Sequence, residues 1–519
     1  MADSSFLKGT LILGLSGIAV KFLSAVYRIP LTRMIGARGM GQYTAAFNFF
    51  MPFFSLATAG ITPAISRLCA SGAYSGREIH YIKKKACRCF GYSSLALAAV
   101  ALVARFVYSD YTASPMIFTG VALLAPNLVF ATFEAVYKGI SQGTMNMAVS
   151  AKAGLIESSC KTVIGICSVY LAGTMLAEHR RQGQLVRAFA TVSISGFICF
   201  VYMSTRFRNT YRERPADSLS IGADRLFSMA VPISLSALVV SVSNFCDTVI
   251  CLSIIKSTPD RRLMAAYPFI GFSAVEEKAI WLYGVYQGLC LSVVNLIPSL
   301  SAAVGASGLP FITRAIGSGD GSRAYSQISR TVKITAAVVV PASLFVAFFS
   351  REVLITLYGE NGAQTELAAY FLRIMAPFAV LSAFSFPLNS IIHARGKTAA
   401  VFRILVFSCT VKVILSVILC SVGDINIMGC LLSQIVFHSL VFLLSLNTIK
   451  NVYPAAGIFR AILFPAVVSY VLLSFVRALS EFVLYNVPVV FRTVFCGGIF
   501  LAVYFCILLF TGFFIDNSG

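Results

Sequence analysis

The feature that most constrains this chain is the recurrence of apolar, nearly uncharged runs, each long enough to cross a bilayer as one helix. They lie at 9–27, 39–66, 89–104, 111–133, 153–177, 188–205, 226–255, 279–313, 334–350, 374–394, 404–423, 425–449, 461–476 and 493–515. A spanning helix needs about 20 residues, because only a helix pairs every backbone group within its own segment in hydrocarbon. The sequence therefore predicts an all-α integral membrane protein with about 14 transmembrane helices. Composition agrees, with 58% hydrophobic and 12% charged residues among 519, where soluble domains carry about 25% charged. The first run is closely followed by a second, so it is expected to stay as a span and not to be removed as a signal peptide.

The basic residues fall between the runs. Arg77, Lys83, Lys84, Lys85 and Arg88 follow the second, and Arg206, Arg208, Arg212, Arg214 and Arg225 follow the sixth. Connections after odd-numbered runs hold less net positive charge, as with Arg105 and Asp110, Arg351 with Glu352, Glu360 and Glu366, or Asp424 alone. The fifth, with Arg180, Arg181 and Arg187, dilutes the pattern without reversing it. The positive-inside rule then places even connections and both termini in the cytoplasm, with the chain in the plasma membrane. The net charge of +21 is explained by this distribution, so no nucleic-acid partner is expected. No connection has room for a soluble catalytic domain. Most of the 14 cysteines lie in apolar runs, where a thiol packs as a small hydrophobe, and Cys87 and Cys89 have no matching ligand pair.

An internal repeat divides the chain. The second run ends TPAISR at Thr62 to Arg67 and the eighth ends LPFITR at Leu309 to Arg314. Asn48 and Pro52 answer to Asn295 and Pro298 with a one-residue slip, Pro126 to Pro377, and Lys161 to Lys412. Two six-helix lobes are expected, 1–215 and 216–450, with 451–519 as two added helices. An even number of spans per half makes the repeat parallel, about a pseudo-twofold axis along the membrane normal, an arrangement that suits a midline cavity.

Charges inside apolar runs are costly and mark function by default. Arg28, at the edge of the first run, faces protein or water on this argument. Lys161 and Lys412 occupy equivalent positions in the two halves and are expected to face a shared axis, although Glu157 stands one turn before Lys161 and suits an internal salt bridge. Asp247, in the seventh run, is an alternative partner for Arg28 or an ion-coupling group. Arg33, Arg38, Arg67, Lys138, Arg314 and Arg403 lie near run ends, where long side chains snorkel to water. Lys21 is a further cation inside or at the edge of the spans. A site rich in arginine and lysine selects anions, and guanidinium suits phosphate oxygens. His438 is expected to be a packed, hydrogen-bonded residue, and no nucleophile elbow, phosphate loop or zinc spacing occurs.

The stretches KFLSAVYRIPLTRMIGARGMGQY at 21–43, AGITPAISRL at 59–68 and WLYGVYQGLCLSVVNLIPSL at 281–300 resemble the polysaccharide and lipid-linked-oligosaccharide flippase family of the MOP superfamily. The branch concerned holds stage V sporulation protein B and the lipid II flippases. The resemblance implies a MATE-like pair of lobes around a cationic cavity, with the last two helices forming a lipid-tail groove. It implies alternating access that carries an undecaprenyl-diphosphate-linked sugar, such as a peptidoglycan precursor, from the inner to the outer leaflet, by a monomer among membrane lipids. No cofactor is implied beyond coupling to a sodium or proton gradient or the membrane potential. Arg28 matches the family's first-helix cavity arginine. Phe53, Phe54 and Ser55 stand where a second-helix arginine lies in the better-known members, Gln287 replaces an eighth-helix arginine, Tyr43 an acid, and Asp247 alone matches a sodium-site position. The substrate-binding candidates are then Arg28, Lys161, Lys412, Lys21, Gln287, Asn48 and Asn295, with Asp247 and Glu157 as coupling or pairing groups. The rival reading is a multidrug cation antiporter of the same superfamily, which needs buried acids where this chain has mostly bases. A sugar transferase or ligase would need a long external loop.

Overall fold

The structure, a computed structural model, describes residues 2–70, 76–108, 114–173, 177–210, 223–259, 261, 267, 278–317, 320–359, 362–422 and 425–513. Arg212, Arg214, Asp110, Glu360 and Asp424, which entered the topology reading, lie outside them. The described elements are helices, and thirteen helical stretches among the described residues are long and apolar enough to cross a membrane. The first, Ile12–Ala70, is 59 residues long and accounts for two of the expected spans, and the other twelve follow the remaining spans in order.

That double span is nearly one element. Helix α1 runs Ala2–Thr58 and α2 Ile61–Ala70, and the only interior break in α1 is at Gly36, with φ 68° and ψ −176°. A helix of 57 residues measures about 85 Å, more than twice the hydrocarbon thickness, so it has to bend. The stretch between the first two runs is thus helical but for a single glycine, Gly36, in a backbone region essentially closed to other residues.

Two compact units divide between Lys256 and Ser257. The first holds α1, α2, α3 (Gly76–Tyr108), α4 (Met116–Gly143), α5 (Met147–Ala172), α6 (Ala177–Thr210) and α7 (Ala223–Ser257). The sequence reading put a boundary near 215, before α7, but α7 is tied to the first span pair by polar contacts that cost little in hydrocarbon because each partner is satisfied. Asn48 Nδ2 donates to Thr248 Oγ1 at 3.0 Å, Ser55 and Ser241 hydroxyls meet at 2.5 Å, and the Gly60 amide donates to Ser234 Oγ at 3.0 Å. Ile65, Ile82, Phe90, Val136, Ile140, Met203 and Leu226 form the apolar core that joins α2, α3, α4, α6 and α7.

The second unit begins with α8 (Lys278–Tyr283), a π-helical turn (Gly284–Cys290), α9 (Leu291–Val294) and α10 (Leu296–Gly317). There follow α11 (Gly321–Phe348), α12 (Ser350–Tyr358), α13 (Ala363–Ala394), α14 (Thr398–Ser421), α15 (Ile427–Ile449), α16 (Ala455–Phe482) and α17 (Val489–Phe510). The last two helices pack inside this unit. Tyr504 Oη of α17 donates to the Ala337 carbonyl of α11 at 3.1 Å, and Arg477 of α16 reaches Glu352 of α12 at 2.6 Å.

Candidate functional site

In the first unit the candidate cations collect along α1 and α5. Tyr27, the neighbour of Arg28, is 3% exposed and packs against α5, where Gly165 leaves the space its ring needs: a Cβ at Gly165 would stand 2.4 Å from Tyr27 Cε2. Thr162 donates its hydroxyl to the Leu23 carbonyl at 3.2 Å, fixing the same two helices one turn away. The seam positions Lys161. Its ammonium lies 5.2 Å from the Tyr27 ring centre and 5.7 Å from that of Phe47. Within about 6 Å an aromatic face attracts a cation through its quadrupole, and it does so without neutralising the charge.

Glu157 does not hold Lys161, against the salt bridge that the four-residue spacing suggested. Its Oε2 lies 3.9 Å from Nζ of Lys138, whose ammonium also contacts Glu134. Lys138 was read as a snorkelling residue near a run end, and the structure corrects this: one lysine serves two carboxylates, one of them, Glu134, only 3% exposed. The Glu134 and Lys138 spacing of four on α4 carried that signal in the sequence. The carboxylates also lie with the Cys199 thiol within 4.8 Å of one another. The ammonium of Lys138 already supplies a cation to that group, and Cys199 donates to the Ala153 carbonyl at 3.3 Å. The carboxylate of Glu157 makes its ion pair with Lys138, and Lys161 makes none with any described residue.

The other candidates of this unit have different surroundings. Lys21 is exposed on the face of α1 that also carries Arg28, itself half-buried. Asn48 spends its amide on the bond to Thr248, so it joins helices. Asp247, next to Thr248, is 4% exposed.

In the second unit Lys412, the repeat counterpart of Lys161, is 2% exposed and also lies against an aromatic face, 5.6 Å from the Phe437 centre. The two repeats thus place their lysines alike, a mid-span ammonium against rings. His438 shares 2.9 Å with Gln434 and is the hydrogen-bonded residue expected. Gln287 falls in the π turn, where the wider ladder leaves carbonyls to be met otherwise. The Ser292 hydroxyl donates to the Gly288 and Gln287 carbonyls there. Asn295 is exposed at the end of α9. Gly396 has φ 72° in the turn after α13, as a plain turn glycine does. The ring faces of Tyr27, Phe47 and Phe437 escaped the sequence reading because aromatic residues abound in every span and nothing local marks those that meet a lysine.

Comparison with known proteins agrees with this architecture. The family model described as polysaccharide biosynthesis protein matches residues 6–315, and the MatE model matches 287–418. Stage V sporulation protein B of Bacillus subtilis (strain 168) is 23% identical over 467 residues, covering 88% of this chain and 85% of that one. The lipid II flippase MurJ of the same organism is 21% identical over 448 residues, covering 80% and 77%. Among solved structures, lipid II flippase MurJ in an inward closed conformation aligns over 96% of this chain and 98% of its own, with TM-score 0.66 and 14% identity. An inward-facing multidrug resistance MATE transporter of the MOP superfamily aligns over 85% and 98%, with TM-score 0.59 and 15% identity. With the first of these family models matched over more than half of its 519 residues, the chain belongs to the polysaccharide biosynthesis protein family.

Proposed function

We propose that this protein is a flippase, a transporter and not an enzyme, which moves an undecaprenyl-diphosphate-linked sugar from the inner to the outer leaflet by alternating access. The observation that carries the reading is Lys161, a mid-span ammonium against two aromatic faces and free of any ion pair with a described residue. A half-buried mid-span charge that no carboxylate holds in an ion pair is suited to a ligand that supplies one. An anion crossing a low-dielectric path unpaired costs several kcal/mol or more, and Arg28, Lys21, Lys161 and, in the second unit, Lys412 are the cations assigned to offset it. Arginine holds the diphosphate by paired hydrogen bonds and the lysines act as point charges. The names of the relatives, a lipid II flippase and a sporulation protein, support a lipid-linked precursor as the substrate class. A cation antiporter needs acids to hold its cation, and Glu134 and Glu157 both already contact the ammonium of Lys138.

The protein acts as a monomer in the plasma membrane with both termini cytoplasmic, coupled to an ion gradient or the membrane potential, with Asp247 as the coupling candidate. Complementation of a strain depleted of its lipid II flippase tests the reading. Rescue by the wild type, and none by Arg28→Ala at normal membrane levels, is expected. Energised efflux of an organic cation from vesicles, independent of any lipid-linked sugar, would reverse it.

A further inference from the structure

Two of the cysteines that packing alone seemed to explain meet in the second unit. Helices α14 and α15 run antiparallel through a tight connection, and their facing residues pair in sequence. Cys420 and Cys430 sulfurs lie 3.3 Å apart, Ser416 and Ser433 hydroxyls 2.6 Å apart, and the Lys412 ammonium lies over Phe437. Positions 420, 416 and 412 share one face of α14, and 430, 433 and 437 share one face of α15. The thiols therefore close, at the turn end, the same ladder that ends on Lys412.

The backbones are near enough for a covalent bond. A Cβ at Gly429 would stand 2.6 Å from the Cys420 nitrogen and 2.7 Å from the Leu419 carbonyl carbon, so only glycine permits this approach. A disulfide has sulfurs about 2.05 Å apart, so the thiols have to close by about 1.3 Å, within the reach of side-chain rotation. No disulfide joins them in this structure. Both sulfurs are buried, at 2% and 1% residue exposure, while Val422, two residues after Cys420, is 46% exposed. The connection follows the eleventh span, on the side that the charge pattern assigns to the exterior, where disulfides persist.

We propose that Cys420 and Cys430 form a reversible intramolecular disulfide that locks the α14–α15 hairpin and restricts the helix carrying Lys412. Each thiol loses its proton, the two S–H bonds give way to one S–S bond, and the electron pair passes to a thiol oxidant of the disulfide class, which leaves as two thiols. The step runs through a mixed disulfide, by attack of one thiolate on the oxidant and of the second cysteine on the first. The pairing stands on geometry alone, while its effect on transport rests on the flippase reading.

The test treats the full-length protein in membranes with oxidised glutathione, then denatures it, alkylates it and maps the peptides by mass spectrometry. The expected product is a peptide pair linked through Cys420 and Cys430, released by dithiothreitol and lost in both Cys420→Ser and Cys430→Ser. Backbone hydrogen exchange across 419–430 is expected to slow severalfold in the oxidised wild type. Complete alkylation of both cysteines after oxidation overturns the pairing, and unchanged exchange with the disulfide present overturns the locking. In reconstituted vesicles, oxidation is expected to lower wild-type transport severalfold, with recovery on reduction and no effect on Cys420→Ser. If the reduced wild type moves no lipid-linked sugar at all, the flippase reading fails while the mapped disulfide and its exchange signature stand.

Discussion

Lys138 and Lys161 lie close in the same unit and differ in what holds them, so their replacement by glutamine should separate structure from function. Lys138 contacts Glu134, whose side chain is 5% exposed, and Glu157, whose side chain is 36% exposed. Removing the ammonium leaves a buried carboxylate without its cation, a change that costs about 3–5 kcal/mol in a closed site. The openness of Glu157 puts the expectation for Lys138→Gln near about 3 kcal/mol. Lys161→Gln forfeits its two ring contacts, at about 0.5–1 kcal/mol each, and a longer-range attraction to Glu157, and part of this is offset by no longer desolvating an ammonium. Its loss should instead appear in substrate binding, where a charge-assisted hydrogen bond is worth about 1.5–3 kcal/mol, a roughly ten- to hundredfold weaker Kd. Thermal unfolding of purified protein, followed by a maleimide dye that reports buried thiols, measures the first quantity, and binding of a lipid-linked diphosphate the second. A Lys161→Gln protein as destabilised as Lys138→Gln would refute the view that Lys161 is left for a ligand.

Gly36→Ala should cost about 1–3 kcal/mol from backbone strain alone, since a Cβ there meets nothing within 4 Å. Gly14→Ala, equally open but with no positive φ, should be neutral or slightly stabilising, and melting curves of the two variants compare strain with helix propensity directly. Gly165→Ala places a methyl 2.4 Å from Tyr27 Cε2 and should cost about 1–3 kcal/mol by overpacking. The same change should also lower transport by moving the ring from Lys161, a pairing of effects that a transport assay alongside the melt detects.

The spans were legible because hydrocarbon tolerates so few sequences, and runs without charge map onto helices almost one for one. The join at Gly36 was less so: Arg33 and Arg38 interrupt the apolar pattern between the first two runs, and only the backbone shows that they ride on one helix bent at a glycine. The repeat was read from Lys161 and Lys412, and both do sit against aromatic faces. Their ring partners come from other helices, which spacing along one helix does not reveal. Glu157 shows the limit most clearly. Its sequence neighbour Lys161 fits a four-residue salt bridge, but Lys138 on the adjacent helix competes for the carboxylate and holds it. The thiol pair at Cys420 and Cys430 has the same origin, a contact made only when two helices fold back across a turn.

Transbilayer movement of an undecaprenyl-diphosphate-linked sugar in vesicles containing the purified protein is the most direct measurement, with Arg28→Gln separating charge from side-chain length. Wild-type vesicles should expose the lipid on the opposite leaflet, and Arg28→Gln vesicles with normally inserted protein should do so at least tenfold more slowly. Full flipping by Arg28→Gln would contradict the cationic mechanism, and no flipping by the wild type across an imposed ion gradient would contradict the function itself.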